Sequence, residues 1–442
     1  MTQTDPHQEA EDYHTSPRPR RRPAPGGLRA RVLVLVAVML TAGGCKGSQD
    51  VAAPPAGGAG TGDDARVDDA LEALSPRWRT IKRTTLSGRS QHSAVWTGDE
   101  MVIWGGSRGS TGGLDDGAAY RPSTGTWRRL PQAPIQARSG HIGVWTGREM
   151  LVWGGSGSGI GVAAGPEADF PDGAAWSPDA NEWRRIRTFP LVPRSEMAAA
   201  WTSRQLVVWG GREVGRPNDG GLADGAVYSP TGDEWTVMSP GPLDGRVAPS
   251  IAPIGDRVLV AGGTRVGEGT RLDGAIYDPG ADSWTPIRPA PHELDCRQPC
   301  PAGIWTGGEV IFPASGLAYD PGTDTWRSLP ECRSAGPGVT AWAAVWTGSQ
   351  LLVWGGAEAQ GEPVLPAAYD PGSDRWAVLE DDPHEATPAY GSAVWTGEEM
   401  IVWGGGTGDG ERHKDLAVGA TYRPGAALPD TPCPPPASGP TD

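Results

Sequence analysis

Only three phenylalanines and three lysines occur in this chain of 442 residues, against 20 tryptophans and 66 glycines. Such scarcity of Phe makes the aromatic content almost a matter of one bulky side chain placed again and again. Cationic charge is nearly all arginine, and acids outnumber bases to give a net charge of −15. Beyond Cys45 the balance is more acidic still, 32 basic against 49 acidic residues. A domain of that sign argues against nucleic acid and against adhesion to anionic lipid. No apolar run is long enough to span a bilayer; the longest, Val32–Leu40, has nine residues. With 66 Gly and 44 Pro, the sequence is dense in turns and poor in helix.

That apolar run has a use. Arg18–Arg31 is rich in Arg and Pro, and Thr41-Ala-Gly-Gly-Cys45 follows the run. A basic stretch, a short apolar stretch and small residues before a cut make an export signal. The ending resembles a bacterial lipobox, which implies that Cys45 is lipidated and becomes the mature N-terminus; Ala42 stands where Leu is usual, and plain secretion is the alternative. The expected division is an export signal over 1–44, the lipidated Cys and a flexible Gly/Ala/Pro/Asp tether over 45–75, a folded body over 76–428, and a Pro-rich tail over 429–442.

The folded body is periodic. Ser93-Ala-Val-Trp-Thr-Gly-Asp-Glu-Met-Val-Ile-Trp-Gly-Gly106 reads as two strands joined by a polar turn and closed by a glycine pair. The phrase returns at 143–155, 199–211, 343–356 and 392–405, and in degraded form at 251–263 and 303–315. A second phrase, Asp116-Gly-Ala-Ala-Tyr-Arg-Pro-Ser-Thr-Gly-Thr-Trp127, sets an aromatic seven residues before a Trp, with Pro two after the aromatic. Pro fixes φ and Gly or Asp tolerates the left-handed region, so a tight turn joins two more strands. Four strands at a period near 50 residues indicate a propeller.

The Gly-Gly after the second strand, the Tyr on the third and the Trp on the fourth resemble kelch repeats of the galactose-oxidase type, from about Trp78 to Tyr422. The resemblance implies an all-β, seven-bladed ring around a channel, in a family that mostly serves binding and sometimes catalysis. The seventh unit lacks its fourth strand, and Pro76-Arg-Trp-Arg-Thr-Ile81 carries that pattern with no first three. The N-terminal strand is therefore expected to complete the last blade and leave no free edge.

Nineteen of the Trp fall at repeat positions and are expected to wedge between blades; Trp342 stands apart, as a candidate for stacking on sugar. Arg89, Arg138, Arg194 and Arg246 share one repeat position, and Asp116, Asp172, Asp224 and Asp273 another. Units five to seven lack both. Joint loss is expected of a structural ion pair; the sharper reading is a half-ring of cations at the channel mouth, able to hold a carboxylate or acidic sugar. Cys296, Cys300, Cys332 and Cys433 are disulfide candidates, with a bridge from Cys332 to the first two expected and Cys433 holding the tail.

No catalytic set stands out. Six of eight Tyr are periodic, and His92 and His141 share a repeat position that reads as structural. No metal spacing or phosphate loop appears, and no cofactor is expected. These observations point to a monomeric, extracytoplasmic binding module for a protein or cell-envelope glycan. The alternative is a kelch-type enzyme acting on sugars, an oxidase or epimerase, with its site at the channel mouth. Variation is concentrated in the loops between second and third strands, where such scaffolds present function.

Overall fold

The computed structural model describes residues 77–109, 112–157, 170–213, 220–294, 303–335, 339–357, 364–379, 388–407 and 414–434. Among them lie seven four-stranded antiparallel sheets, three two-stranded ribbons and no α-helix. Each sheet is one blade. In blade one Ser93–Trp96 pairs with Met101–Trp104, which pairs with Gly117–Arg121, which pairs with Thr126–Arg129. Blades two to six repeat this order in consecutive stretches of chain. Second strands such as Met101–Trp104, Met150–Trp153 and Leu206–Trp209 are buried at every position, because both sheet faces are covered by neighbouring blades.

Local chemistry sets the turns. Thr97 starts the first hairpin, its Oγ1 accepting the Glu100 N–H at 3.0 Å while Gly98 takes φ 104°. The same hydroxyl turn recurs at Thr146, Thr202, Thr306, Thr347 and Thr396. The second hairpin needs one left-handed residue before its fourth strand, and Gly125, Asn181, Asp233, Asp282, Asp324 and Asp374 supply it.

The seam is where the sequence placed it. In blade seven the order is Arg77–Thr80, Gly419–Arg423, Met400–Trp403, Ser392–Trp395, with Trp78 opposite Tyr422 and their rings 4.9 Å apart. An N-terminal strand thus completes a blade made from the other end of the chain.

Two regions depart from the repeat. Blade five replaces the glycine pair with a 3-10 turn, Pro313–Ser315, that runs directly from Val310–Phe312 into Leu317–Asp320. In blade six the first two strands are longer, Thr340–Trp346 and Leu351–Ala357. The tail also differs from the expected division at 428. Val378 donates to Thr431 O at 3.0 Å, Ala377 bridges to Pro432, and Arg333 donates to Pro434 O at 2.7 Å. Residues 429–434 are therefore a strap along the outer strand of blade six, and they belong to the ring.

Cys332 and Cys433 form a disulfide, with Cα atoms 5.3 Å apart. The bridge expected from Cys332 to Cys296 or Cys300 is thereby corrected, since Cys332 is already taken; the latter two cysteines lie outside the described residues. The error came from assigning the tail no place in the ring: 431–433 runs beside blade six and brings Cys433 to Cys332.

Candidate binding faces

The four arginines that share a repeat position are all held in the same way. Each lies four residues before a first strand, and each side chain is fully buried. Nη1 of Arg89, Arg138, Arg194 and Arg246 donates to the carbonyls of Gly105, Gly154, Gly210 and Gly262, at 3.1, 2.9, 3.2 and 3.1 Å. Those carbonyls belong to the first glycine of each pair, which turns with positive φ and so leaves its oxygen without a strand partner. The carboxylates of Asp116, Asp172, Asp224 and Asp273 approach the same guanidinium groups at 2.8, 2.8, 2.8 and 2.9 Å.

The backbone carbonyl of the arginine works toward the preceding blade. Gly405 donates to Arg89 O, Gly106 to Arg138 O and Gly211 to Arg246 O, each at 2.9 Å. One residue therefore fastens its own blade through its side chain and the previous blade through its main chain. Aromatic faces complete three of the sites: Phe170 lies 4.4 Å from Arg138, Phe189 5.2 Å from Arg194 and Trp209 5.9 Å from Arg246. Burial lowers the Arg138 pKa, opposed by Asp172. The Arg246 hydrogen bond holds Asp273 below the usual carboxylate range. The half-ring of free cations proposed for Arg89, Arg138, Arg194 and Arg246 is thus corrected to four structural staples, because a buried guanidinium fork is stable only when such acceptors fill it.

Where the arginine is absent, the main-chain contact survives: Gly356 donates to Pro388 O at 3.3 Å. The matching Asp positions are Ser315, Leu365 and Val418, and Leu365 is 58% exposed. Trp342 occupies the first strand of blade six opposite Gly355; its side chain lies outside the described residues.

Tryptophans at the end of second strands are buried and meet the fourth-strand Trp of the next blade. Trp104–Trp183, Trp153–Trp235, Trp209–Trp284 and Trp403–Trp127 have centroids 5.7, 5.5, 6.0 and 6.1 Å apart. First-strand tryptophans such as Trp96, Trp145 and Trp201 are half-buried and pack into the clusters between blades. Fourth-strand indoles also reach backward: Trp235, Trp284 and Trp326 donate to the carbonyls of Arg187, Ser239 and Arg288, at 2.8, 3.1 and 2.8 Å.

The same three residues donate their N–H groups to Asp233, Asp282 and Asp324, at 3.0, 3.0 and 2.8 Å. Each of those carboxylates also accepts the hydroxyl of the third-strand tyrosine, Tyr228, Tyr277 or Tyr319, at 2.7, 2.7 and 2.9 Å. Burial, then the adjacent carboxylate, raises the pKa of these phenols. The sequence reading gave Tyr and Trp their places but missed this Asp. Its signal is legible in hindsight as Tyr-x4-Asp-x-Trp.

His92 and His141 are joints between blades. His92 Nε2 lies 2.7 Å from Ser392 Oγ and His141 Nε2 2.8 Å from Ser93 Oγ. Burial and then the nearby arginine, Arg89 for His92 and Arg138 for His141, lower both pKa values to about 3. Both rings are therefore neutral at physiological pH. Among the described residues no three His, Cys, Asp or Glu side chains converge as metal ligands would.

With the staples accounted for, the variable surface lies on the face that carries the connections between second and third strands. Three ribbons rise there: Arg194–Ser195 with Arg212–Glu213, Thr264–Arg265 with Gly269–Thr270, and Gly406–Thr407 with Lys414–Asp415. Arg212 pairs with Glu196, while Arg265 reaches Glu268 at 2.9 Å and Asp244 at 3.6 Å, and Arg271 pairs with Glu268. Asp415 crosses from blade seven to blade one, accepting from Ser90 Oγ and the Gly109 N–H, both at 2.6 Å. Much of the charged 406–415 loop, from 408 to 413, lies outside the described residues.

Residues 57–263 match the family model described as the KLHDC2/KLHL20/DRC7 Kelch-repeats domain. Seven blades, each carrying the Gly-Gly, Tyr and Trp positions or their degraded forms, extend that pattern beyond the matched span. The fold is a kelch-repeat propeller. No match is found among curated proteins. A kelch propeller fold points to a protein-interaction or binding module, and here the ribbons on blades three, four and seven are its most variable surface.

Proposed function

We propose that this kelch propeller is an exported, lipid-anchored module that binds a macromolecular partner, a protein or a cell-envelope glycan, on the face bearing its ribbons. One observation carries the reading. The repeated Arg, Asp, Tyr, Trp and His side chains are consumed in fastening blades together, so chemistry free to meet a partner is left to the non-repeated ribbons. Mixed charge there, with Arg212, Arg265 and Arg271 each set beside a carboxylate, suits a polar partner better than an apolar one. The Cys332–Cys433 disulfide supports an oxidising compartment, as does the signal-like sequence before Cys45.

The test uses the chain from Lys46 onward, immobilised and screened against envelope glycans and cross-linked to envelope proteins in intact cells. Arg212→Ala, Arg265→Ala and Arg271→Ala together should weaken the interaction about tenfold or more while leaving the ring folded. Turnover of any sugar, or stoichiometric copper in the purified protein, would overturn the binding reading. Fatty-acid labelling that persists in Cys45→Ala would overturn the anchor.

A further inference from the structure

Net charge averages over the surface, and the outer edge of this ring departs from the average. Fourth strands of blades seven, one and two read Arg-Trp-Arg-Thr, Thr-Trp-Arg-Arg and Glu-Trp-Arg-Arg. Those of blades three and four, Glu-Trp-Thr-Val and Ser-Trp-Thr-Pro-Ile, carry no cation. Blades seven and one are neighbours across the seam. Arg79, Lys82 and Arg83 are exposed there and have no carboxylate partner among the described residues, and no acidic residue occurs from 77 to 98. Arg129 of blade one, 59% exposed, donates to Thr85 O at 3.2 Å and so joins the same patch, with Asp116 only at 3.7 Å. This edge is also where the chain enters the ring, at Arg77–Thr80.

We infer that the outer edge of blades seven and one docks on an anionic lipid surface, holding the propeller edge-on with its ribbon face free. Which membrane is met rests on the export reading; the contact itself does not. Screening over about 8 Å lets a headgroup layer respond to the local patch and not to the distant acids. Each Lys or Arg near such a surface strengthens binding about fivefold, so three contribute on the order of 100-fold. A short tether that holds the edge near the membrane at roughly millimolar effective concentration makes even weak docking sufficient.

The chain from Lys46 onward keeps the whole compact unit Thr61–Asp442 and lacks the lipid-bearing residue. It should cosediment with mixed phosphatidylglycerol and phosphatidylcholine vesicles at about 50 mM salt, release at about 300 mM, and ignore pure phosphatidylcholine. Arg79→Glu, Lys82→Glu and Arg83→Glu together should weaken binding about 100-fold or more, whereas Arg148→Glu, Arg204→Glu and Arg257→Glu, exposed elsewhere on the surface, should change it no more than about twofold. Matching circular dichroism and melting would show that both triple variants fold. Equal loss in the two triples, or no binding to anionic vesicles, would overturn the proposal. So would binding that appears only after Asp63, Asp64, Asp68, Asp69 and Glu72 are changed to amides, since the edge would then be occupied by its own tether. A Cys45 found unmodified in cells would end the anchor reading and leave this one standing.

Discussion

Arg138 touches the carbonyls of Gly154 and Asp172, the Asp172 carboxylate and the Phe170 ring, and none of its side chain meets solvent. Arg138→Ala should therefore destabilise the ring by about 3–5 kcal/mol, measured by denaturant unfolding, because it strands two carbonyls and a partly buried carboxylate. A loss under about 1 kcal/mol would mean that the staple is ornamental. Sequence alone could pair Arg with Asp, since the two appear and vanish together. It could not show the glycine carbonyls, which become available only once both glycines adopt positive φ.

His92 and His141 supply a second test at this scale. Their folded pKa values of about 3 lie below the ordinary 6.5. Below pH 6.5 the unfolded chain takes up protons that the folded chain refuses, so stability is full above that value and falls as the pH drops toward 3. Each histidine contributes a slope of about 1.4 kcal/mol per pH unit inside the window. Between pH 5 and 6.5, where carboxylates stay ionised, His92→Gln with His141→Gln should flatten the pH dependence of unfolding. An unchanged slope would mean that other groups cause it.

Among elements, the joint between one blade's outer strand and the next is the recurring unit. Asp282 accepts from the Ser239 N–H, the Ser239 hydroxyl and the Tyr277 hydroxyl while sitting at φ 46°. Asp282→Ala should cost about 2–3 kcal/mol, more than one ordinary hydrogen bond, by combining three lost contacts with a strained backbone. Asp282→Gly should recover only the backbone part. Strand pairing, turn positions and the inward tryptophans were all legible, because period-two alternation and turn residues act locally. The joint was not, because its donors Arg187, Ser239 and Arg288 lie 46, 43 and 36 residues before their Asp, in the preceding blade. Blade five was legible as irregular but not as a 3-10 turn, since Pro313 and Gly316 fit several connections equally well.

At the scale of the whole molecule the ring is closed twice. Removing 76–81 should abolish cooperative melting, since Tyr422 and the strand Gly419–Arg423 would be left as an open edge. Cys433→Ser acts more mildly. It frees a strap that spans a loop of 101 residues, and the entropic account puts the loss at no more than about 5 kcal/mol, measured as a shift in denaturant midpoint under oxidising conditions. Closure by the N-terminal strand was legible from one missing and one surplus strand pattern. The strap was not, because a Pro-rich segment with no aromatic carries no strand signal, and only its disulfide and three backbone contacts reveal it.

The Trp78–Tyr422 pairing also sets a clock on biogenesis. Trp78 leaves the ribosome among the first folded residues, yet its partner is made some 344 residues later, roughly 17–70 s at ordinary synthesis rates. Throughout that interval no circle can form. A nascent chain that cannot finish folding before its last blade is made stays threadable, which is the state that the proposed export requires.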